Sequence, residues 1–591
     1  MEEDSVAVRT SDLEMSDIRR LLVQSVSSFI PDAPLSLATA AGAPDIVDRI
    51  SDLPADVVSR LPAKDAARTA STMEELLAAL TPDPAMSDNA QLLAQHVYSA
   101  IQAPPVYPDA PLSLAAATWV PDGVDRISDL PAALLADVVS RLPVKDAART
   151  AVLSRCWRGV WRSVPPALVD LHLLSVGGSH LPLHALASSV SRALASHPGP
   201  FRCVYLTAVP MDAHRAEVDG WLQLLAAKGV EDLVFANRAT AIDGYLQIPA
   251  ALFSCTRLTR LSLGFLRFPD AATLSSASAF LNLRELALCS VAMDDRDLAF
   301  LLDKCPVLEK LLLVSTPSPV GFVVRSHTLR CVQVCSTFVD AIDVHEASGL
   351  ERLLLWEAWG VGLSKMCSII RLDYAPNLRC LGFLVPGMHQ LEIHNTIIKV
   401  GTEPGPETTV PSVELLAIRL KLGVEEEATM VPCFLRCFPK LETLYVQSEN
   451  DSEPPLGPQY GTMNNGKLDD RFWSEGVGLI DCVKGSIKKV VFRGFQGKNS
   501  EIQFIKFIAK HAAVLEYMVV ETTNECSDEA IGHLSTLLDS GIWATPNCRV
   551  KVVRTPLKHE GTPWCFTRAS HLSMKDPFDF WKCLLGECLC P

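Results

Sequence analysis

No apolar run in this chain extends uninterrupted for the roughly 18 to 20 residues that a helix needs to cross a bilayer. The opening stretch from Met1 to Arg20 is charged and has no apolar segment of the kind a secretory leader carries. These absences predict a chain that avoids membranes and resides in the cytoplasm and/or nucleus. There its 18 cysteines stay reduced and behave as small buried hydrophobes. Basic stripes are missing as well. The formal charge of -15, with acidic residues dispersed along the chain, argues against nucleic acid as a partner, because phosphate binding needs clustered Lys and Arg.

Catalytic signatures are scarce too. There is no G-x-S-x-G elbow, no H-E-x-x-H and no zinc-deaminase pattern. Gly497-Lys498-Asn499-Ser500 fails as a phosphate loop, since position 493 is arginine and Asn499 stands where serine or threonine must follow the lysine. Gly360-Val361-Gly362 lacks the third glycine of a dinucleotide loop, Lys365 standing there. Cys583, Cys588 and Cys590 have neither a C-x-x-C pair nor a well-spaced histidine beside them. No enzyme activity, cofactor or metal is expected.

What the sequence does have is repetition. With 48% hydrophobic and 20% charged residues, 591 residues predict a folded body of more than one unit or one elongated array. Pro31–Ala70 carries PDAPLSLA, DRISDLP and ADVVSRLPAKDAARTA, and Pro108–Ala151 repeats these almost verbatim. The upstream copy lacks the Ala-Ala-Leu-Leu found at 132–135, about one helical turn, and with it the leucine pair. It also departs from the downstream copy after Ala70, before the tryptophans. It reads as a decayed duplicate.

A second repetition begins near Val230, where an apolar-x-x-apolar-x-apolar block recurs as VEDLVF, LTRLSL, LRELAL, LEKLLL, LRCVQV, LERLLL, LRCLGF, VELLAI and LETLYV, the last starting at Leu441. The alternation at the fourth and sixth positions points two side chains inward from a short strand. Helical stretches such as Asp294–Pro306, with Leu298, Leu301 and Leu302 on one face, separate the blocks. Strand then helix, with adjacent blocks starting 21 to 35 residues apart, predicts a leucine-rich-repeat solenoid. The repeats are irregular, because the usual turn asparagine is absent, and another mixed α/β fold remains an alternative.

Asp122–Leu173, which takes in most of the downstream copy and runs on to the solenoid, reads DGVDRISDLPAALLADVVSRLPVKDAARTAVLSRCWRGVWRSVPPALVDLHL. Ser128 or Asp129 can cap a helix opening near Pro131. Leu134, Leu135, Val138, Val139 and Leu142 form its wide apolar stripe, and Pro143 ends it. A second helix is expected over Lys145–Thr150, and a third over Val152–Trp161 with Leu153, Cys156, Trp157, Val160 and Trp161 in its apolar spacing. A unit this small cannot bury all those faces alone, so a partner surface is expected.

This stretch resembles the F-box of the large plant group of F-box proteins with leucine-rich repeats, from DRISDLP through LLADVVSRLPVKDAARTAVLSRCWRGVW to P-x-L-x-D-L-x-L. Cys433–Gln447 and Phe472–Val520 resemble the FBD region that follows in the same plant proteins. The resemblance implies an α/β architecture: a small three-helix F-box, then an irregular leucine-rich-repeat solenoid with a C-terminal FBD cap. It implies a non-catalytic substrate-recognition adaptor, whose F-box docks the Skp-type linker subunit of an SCF-type cullin-RING ubiquitin ligase and whose repeats hold a protein target. Carried over residue by residue, the linker contacts are Leu130, Pro131, Leu134, Leu135, Val138, Val139, Leu142, Val152 and Trp157, some of which could equally hold the three helices together. Arg149, Arg155, Arg158 and Arg162 read either as a patch for an acidic partner or as a solvated helix face.

The expected organisation is a flexible segment over 1–44, the degenerate F-box duplicate over 45–80 and a Pro/Ala-rich linker over 81–121. The F-box follows over 122–173, the repeats over 174–432, the FBD region over 433–525 and an extension over 526–591. The broken duplicate and irregular repeats leave a second reading open, a ligase-independent interaction scaffold or a decaying, non-functional family member.

Overall fold

The computed structural model describes residues 130–579 except 174, 177–178, 181–182, 239–244, 271–273, 275–279, 318–319, 361–366, 404, 451–465, 540–541, 546, 555–563 and 565, together with Val97, Ala100 and Ile101. The duplicate at 45–80, the 1–44 segment and Cys583, Cys588 and Cys590 lie outside these residues.

Three short helices come first, α1 (Ala132–Ser140), α2 (Val144–Thr150) and α3 (Arg155–Ser163). A continuous ladder of parallel strands follows. It runs through β1 (Ala167–Val169), β2 (Cys203–Leu206), β3 (Asp232–Ala236), β4 (Arg260–Arg267), β5 (Glu285–Ala292), β6 (Lys310–Val314), β7 (Cys331–Val344) and β8 (Arg352–Trp359). It continues through β9 (Cys380–Leu384), β10 (Leu415–Leu420), β11 (Thr443–Ser448), β12 (Lys489–Phe495), β13 (Tyr517–Thr522) and β14 (Arg549–Arg554). Each strand pairs in parallel with its predecessor in this list.

Register explains the block pattern. Arg260, Glu285, Lys310, Cys331, Arg352, Cys380, Leu415, Thr443 and Lys489 stand side by side as first strand residues. The fourth and sixth residues of the blocks, Leu233 and Phe235 through Leu444 and Val446, are therefore the second and fourth of each strand and are buried on the core side, except in β9, where the register shifts after Leu381, Leu384 pairs with Ile418, and Phe383 turns to the other face. All nine blocks fall on strands. The ladder also starts earlier than Val230: Phe201, just before β2, and Val204 and Leu206 on it form a block of the same kind and are buried. In β12 and β13, Ile487, Val490, Phe492 and Leu515, Met518, Val520 do the same. The FBD stretch thus extends the repeat ladder with further strands.

The core side is closed by helices α4 (Leu183–Ser196), α5 (Arg215–Lys228), α6 (Asp295–Asp303), α7 (Glu425–Cys437), α8 (Asp481–Gly485), α9 (Asn499–His511) and α10 (Asp528–Asp539). α6 opens on a reciprocal capping box between Asp294 and Asp297 and buries Leu298 and Leu301, as the spacing predicts. Between β6 and β10 the strand-then-helix expectation fails. There Val320–Val324, residues 339–344 of β7, Ser368–Leu372 and His389–Ile393 form a second parallel ladder. β7 serves both ladders by turning at Ser336, whose φ of 46° is left-handed. Phe265, Ser290, Ser315 and Glu357, at the same register position of neighbouring strands, are left-handed too (φ 48–54°), and Gly494 takes that position in β12. The repeat therefore bends at one stacked position.

The linker expectation for 81–121 needs correcting where it can be checked. Val97, Ala100 and Ile101 are buried in the common core, because their three- and four-residue spacing makes one apolar helical face. The C-terminal extension likewise contributes α10 and β14 and then packs Trp564, Phe566, Ala569 and Phe578 into the body.

Candidate docking site

Two prolines divide the three-helix unit. Pro131, with ψ at 139°, stands outside α1 and its carbonyl accepts from Leu134 and Leu135 at 2.9 and 3.2 Å. The caps foreseen at Ser128 and Asp129 lie outside the described residues. Pro143 stops α1 and opens α2 in the same way, accepting from Asp146 and Ala147 at 2.9 Å. The third helix begins three residues later than its apolar spacing predicts. The Ser154 hydroxyl accepts from Trp157 N at 3.4 Å and caps it, which leaves Val152 and Leu153 in the preceding turn.

These boundaries sort the expected site residues into two groups. Leu134 and Val138, four residues apart along one edge of α1, and Leu130 just before the helix are 41–46% exposed, and Val152 and Leu153 are 83% and 69% exposed. Pro131 is exposed beside them. Leu135 and Val139 are only 1% exposed, and Trp157 is buried with Val160 and Trp161. Leu142 is half-buried against the same core. Leu135, Val139 and Trp157 are thus corrected from linker contacts to core residues: a partner could reach them only by prising α1 from α3. Leu153, read from sequence as part of the third helix's apolar spacing and not as a contact, joins Val152 on the exposed side because it precedes the Ser154 cap.

The buried side of this unit is fused to the solenoid. His197, after α4, places Nε2 2.9 Å from the Trp161 carbonyl, and its ring packs edge-on to Trp161 at 4.6 Å. Pro143 bridges to Ala167 of β1, and Arg202 N donates to the Pro166 carbonyl at 3.0 Å. Asp170, in the P-x-L-x-D-L-x-L ending, is fully buried and accepts from the amides of Ala208, Thr207, Leu171 and Val209 at 2.7 to 3.2 Å. Burial pushes its carboxyl up to about 6, while those amide donors pull the other way. The unit is held at a fixed angle to the ladder, with its apolar ridge outward.

An exposed row of Leu and Val on a unit already anchored on its other side is incomplete. Covering each such side chain stabilises by about 1.5–3 kcal/mol at full burial. Beside it, Arg149, Arg155, Arg158 and Arg162 are all exposed. Arg149 pairs with Asp146 at 2.9 Å, a contact of small energetic weight at the surface. No cluster of His, Cys, Asp and Glu that could hold a metal occurs among the described residues, and among them no helix is long and apolar enough to cross a membrane. The fourteen cysteines among the described residues are unpaired thiols, eleven of them buried besides the half-buried Cys367 and Cys548 and the exposed Cys156.

Comparison with known proteins maps onto these parts in the same order. Residues 127–167 match the F-box domain, residues 218–446 the LRR repeats of the FBD-associated F-box protein At5g56370 type, and residues 475–520 the FBD. F-box/FBD/LRR-repeat protein At1g13570 of Arabidopsis thaliana is 25% identical over 70% of this chain and 95% of its own length. F-box/FBD/LRR-repeat protein At4g00160 of the same plant is 23% identical over 69% and 88%. F-box/LRR-repeat protein At3g26922, also from Arabidopsis thaliana, is 33% identical over 32% of this chain and 59% of its own. With helices, repeat ladder and FBD strands in this order on one continuous chain, the protein carries matches to the F-box, the LRR repeats and the FBD together and is similar over about 70% of its length to F-box/FBD/LRR-repeat proteins of Arabidopsis thaliana.

Proposed function

We propose that this chain is the substrate-recognition adaptor of an SCF-type cullin-RING ubiquitin ligase, acting in the cytoplasm and/or nucleus. The observation that carries this reading is the ridge of Leu130, Pro131, Leu134 and Val138, exposed on a unit whose opposite face is locked to the repeats. F-box domains in general bind Skp-type linkers, and this ridge has the apolar chemistry to do so, with Val152 and Leu153 as a second apolar patch. The repeat ladder, an extended protein-interaction surface, holds a protein target. Because the two are fused, the target is presented to the ligase at one fixed geometry, and proximity replaces chemistry by this chain.

Capture of a purified Skp-type linker by the full chain tests the docking step. Wild type is expected to retain the linker, and Leu134→Asp with Val138→Asp to lose at least ten-fold in affinity while melting at an unchanged temperature. Equal capture by both would overturn the reading.

A further inference from the structure

The ladder face opposite the core is not left open. From β7 to β12 it is crossed by Trp564–Asp579, which contains one short helix, α11 (Phe566–Ser570). Two aromatic anchors seat this strap. Trp564 stacks on Phe383 with ring centroids 6.3 Å apart and meets Trp356 at 6.4 Å. Phe578 lies 5.1 Å from Phe383 and 5.4 Å from Tyr445. Both anchors are fully buried.

Between the anchors, side chains of the ladder reach up to main-chain carbonyls. Gln333 Nε2 donates to Phe566 O at 3.3 Å, Arg352 donates to Ala569 O at 2.6 Å and to Met574 O, and Arg493 donates to Phe578 O at 2.8 Å. The far end is read by charge: Tyr445 donates to Asp576 Oδ2 at 2.9 Å, and Lys489 Nζ lies 3.2 Å from Asp576 and 3.5 Å from Asp579.

That division of labour is how grooves hold extended peptides. Bonds to carbonyls give affinity whatever the side chains are, and a few pockets set specificity. A strand added to the ladder would instead spend its own N–H and C=O groups on a neighbouring strand.

We propose that this face is a peptide-binding groove for a linear segment with two aromatic anchors and an acidic end, and that Trp564–Asp579 is its built-in occupant, exchangeable with a target segment of the same chemistry. The inference rests on the target-binding half of the preceding reading and names the target's chemistry. The tethered strap competes at a high effective concentration. A free peptide's apparent affinity therefore falls by the fraction of chains whose groove is closed.

The probe is a fluorescein-labelled peptide of residues 564–579, followed by anisotropy against the full chain. Trp564→Ala with Phe578→Ala in the chain is expected to raise its affinity at least ten-fold over wild type. Adding Arg352→Ala and Lys489→Glu is expected to abolish that gain. No binding to the folded double variant overturns the proposal. Hydrogen exchange on unmodified wild type gives a second reading that no folding defect can spoil. Strap amides are expected to exchange at least ten-fold faster than those of β8 and β9, through opening of the strap alone. Exchange of all three at one common rate overturns the proposal. Neither readout involves the linker subunit, so failure here leaves the F-box reading standing, and failed linker capture leaves the groove untouched.

Discussion

Arg352 and Ala569 are 217 residues apart in the chain, yet the guanidinium Nη1 donates to the Ala569 carbonyl across 2.6 Å, and Nη2 reaches the carbonyl of Met574. Arg352 opens β8, in register with Cys331 on one side and Cys380 on the other. The ladder thus supplies a planar fork of donors already fixed in direction, which reduces the entropy lost per bond.

Arg352→Met keeps the apolar stem and removes the fork. Bonds with one charged partner contribute about 1.5–3 kcal/mol each when buried, and water can replace part of that. Exchange of the amides in Ala569–Met574 should therefore accelerate by one to two orders of magnitude, with β8 and β9 unchanged. Exchange mass spectrometry on the two variants measures this, and equal rates would mean the contact contributes nothing to holding the strap.

Adjacent residues of α1 should separate cleanly. Leu135→Ala removes a side chain from the three-helix core and is expected to cost about 2–5 kcal/mol. Leu134→Asp, one residue earlier on the exposed edge, should stay within about 0.5 kcal/mol. Denaturant midpoints check the stability difference. Linker capture, measured below both midpoints, should show the reverse order, with Leu134→Asp weakened and Leu135→Ala spared.

That contrast marks where sequence stopped being informative. The stripe of Leu134, Leu135, Val138 and Val139 was legible from helical spacing, but a stripe this wide has two edges, and only the packing of α3 decides which edge is covered. The nine repeat blocks were legible because period-two alternation is local. The second ladder was not, since Cys331–Val344 reads as one apolar run whether it serves one sheet or two. The strap left least trace. Its bonds join residues distant in the chain, from 85 positions between Arg493 and Phe578 to 233 between Gln333 and Phe566, and nothing periodic in Trp564–Asp579 announces a partner.

Arg419 is the cation of a buried cluster. It lies 3.6 Å from Glu357, pairs with Glu449, and stacks 4.4 Å from the Trp356 ring centre. Glu357 is buried, so taking away this cation should cost about 3–5 kcal/mol. Arg379, paired with Glu414 at 2.6 Å but half exposed, should cost less than about 1 kcal/mol when lost. Urea titration of Arg419→Leu beside Arg379→Leu tests the ranking, and similar losses would refute it.

Two buried groups should oppose each other in acid. His389 is held neutral, with Nε2 2.8 Å from the Ala358 carbonyl and Nδ1 accepting from Val385 N at 3.1 Å, and burial lowers it from 6.5 to about 4. A depressed histidine contributes stability that is fully present above pH 6.5 and is lost as pH falls from there to about 4. Asp170 runs the other way. Raised from 3.8 to about 6, it contributes stability that is fully present below pH 3.8 and is lost as pH rises through 6. The shifts are worth at most about 3 to 4 kcal/mol each. In the shared window between about pH 4 and 6 the two slopes have opposite signs, so wild type should be nearly flat with respect to this pair. Asp170→Asn removes the upward slope toward acid, and the variant's midpoint should then fall more steeply than wild type's between pH 6 and 4. His389→Gln should instead flatten or reverse the fall. Thermal melts at half-unit pH steps decide it: parallel curves for all three proteins would show that neither buried group titrates differently on folding.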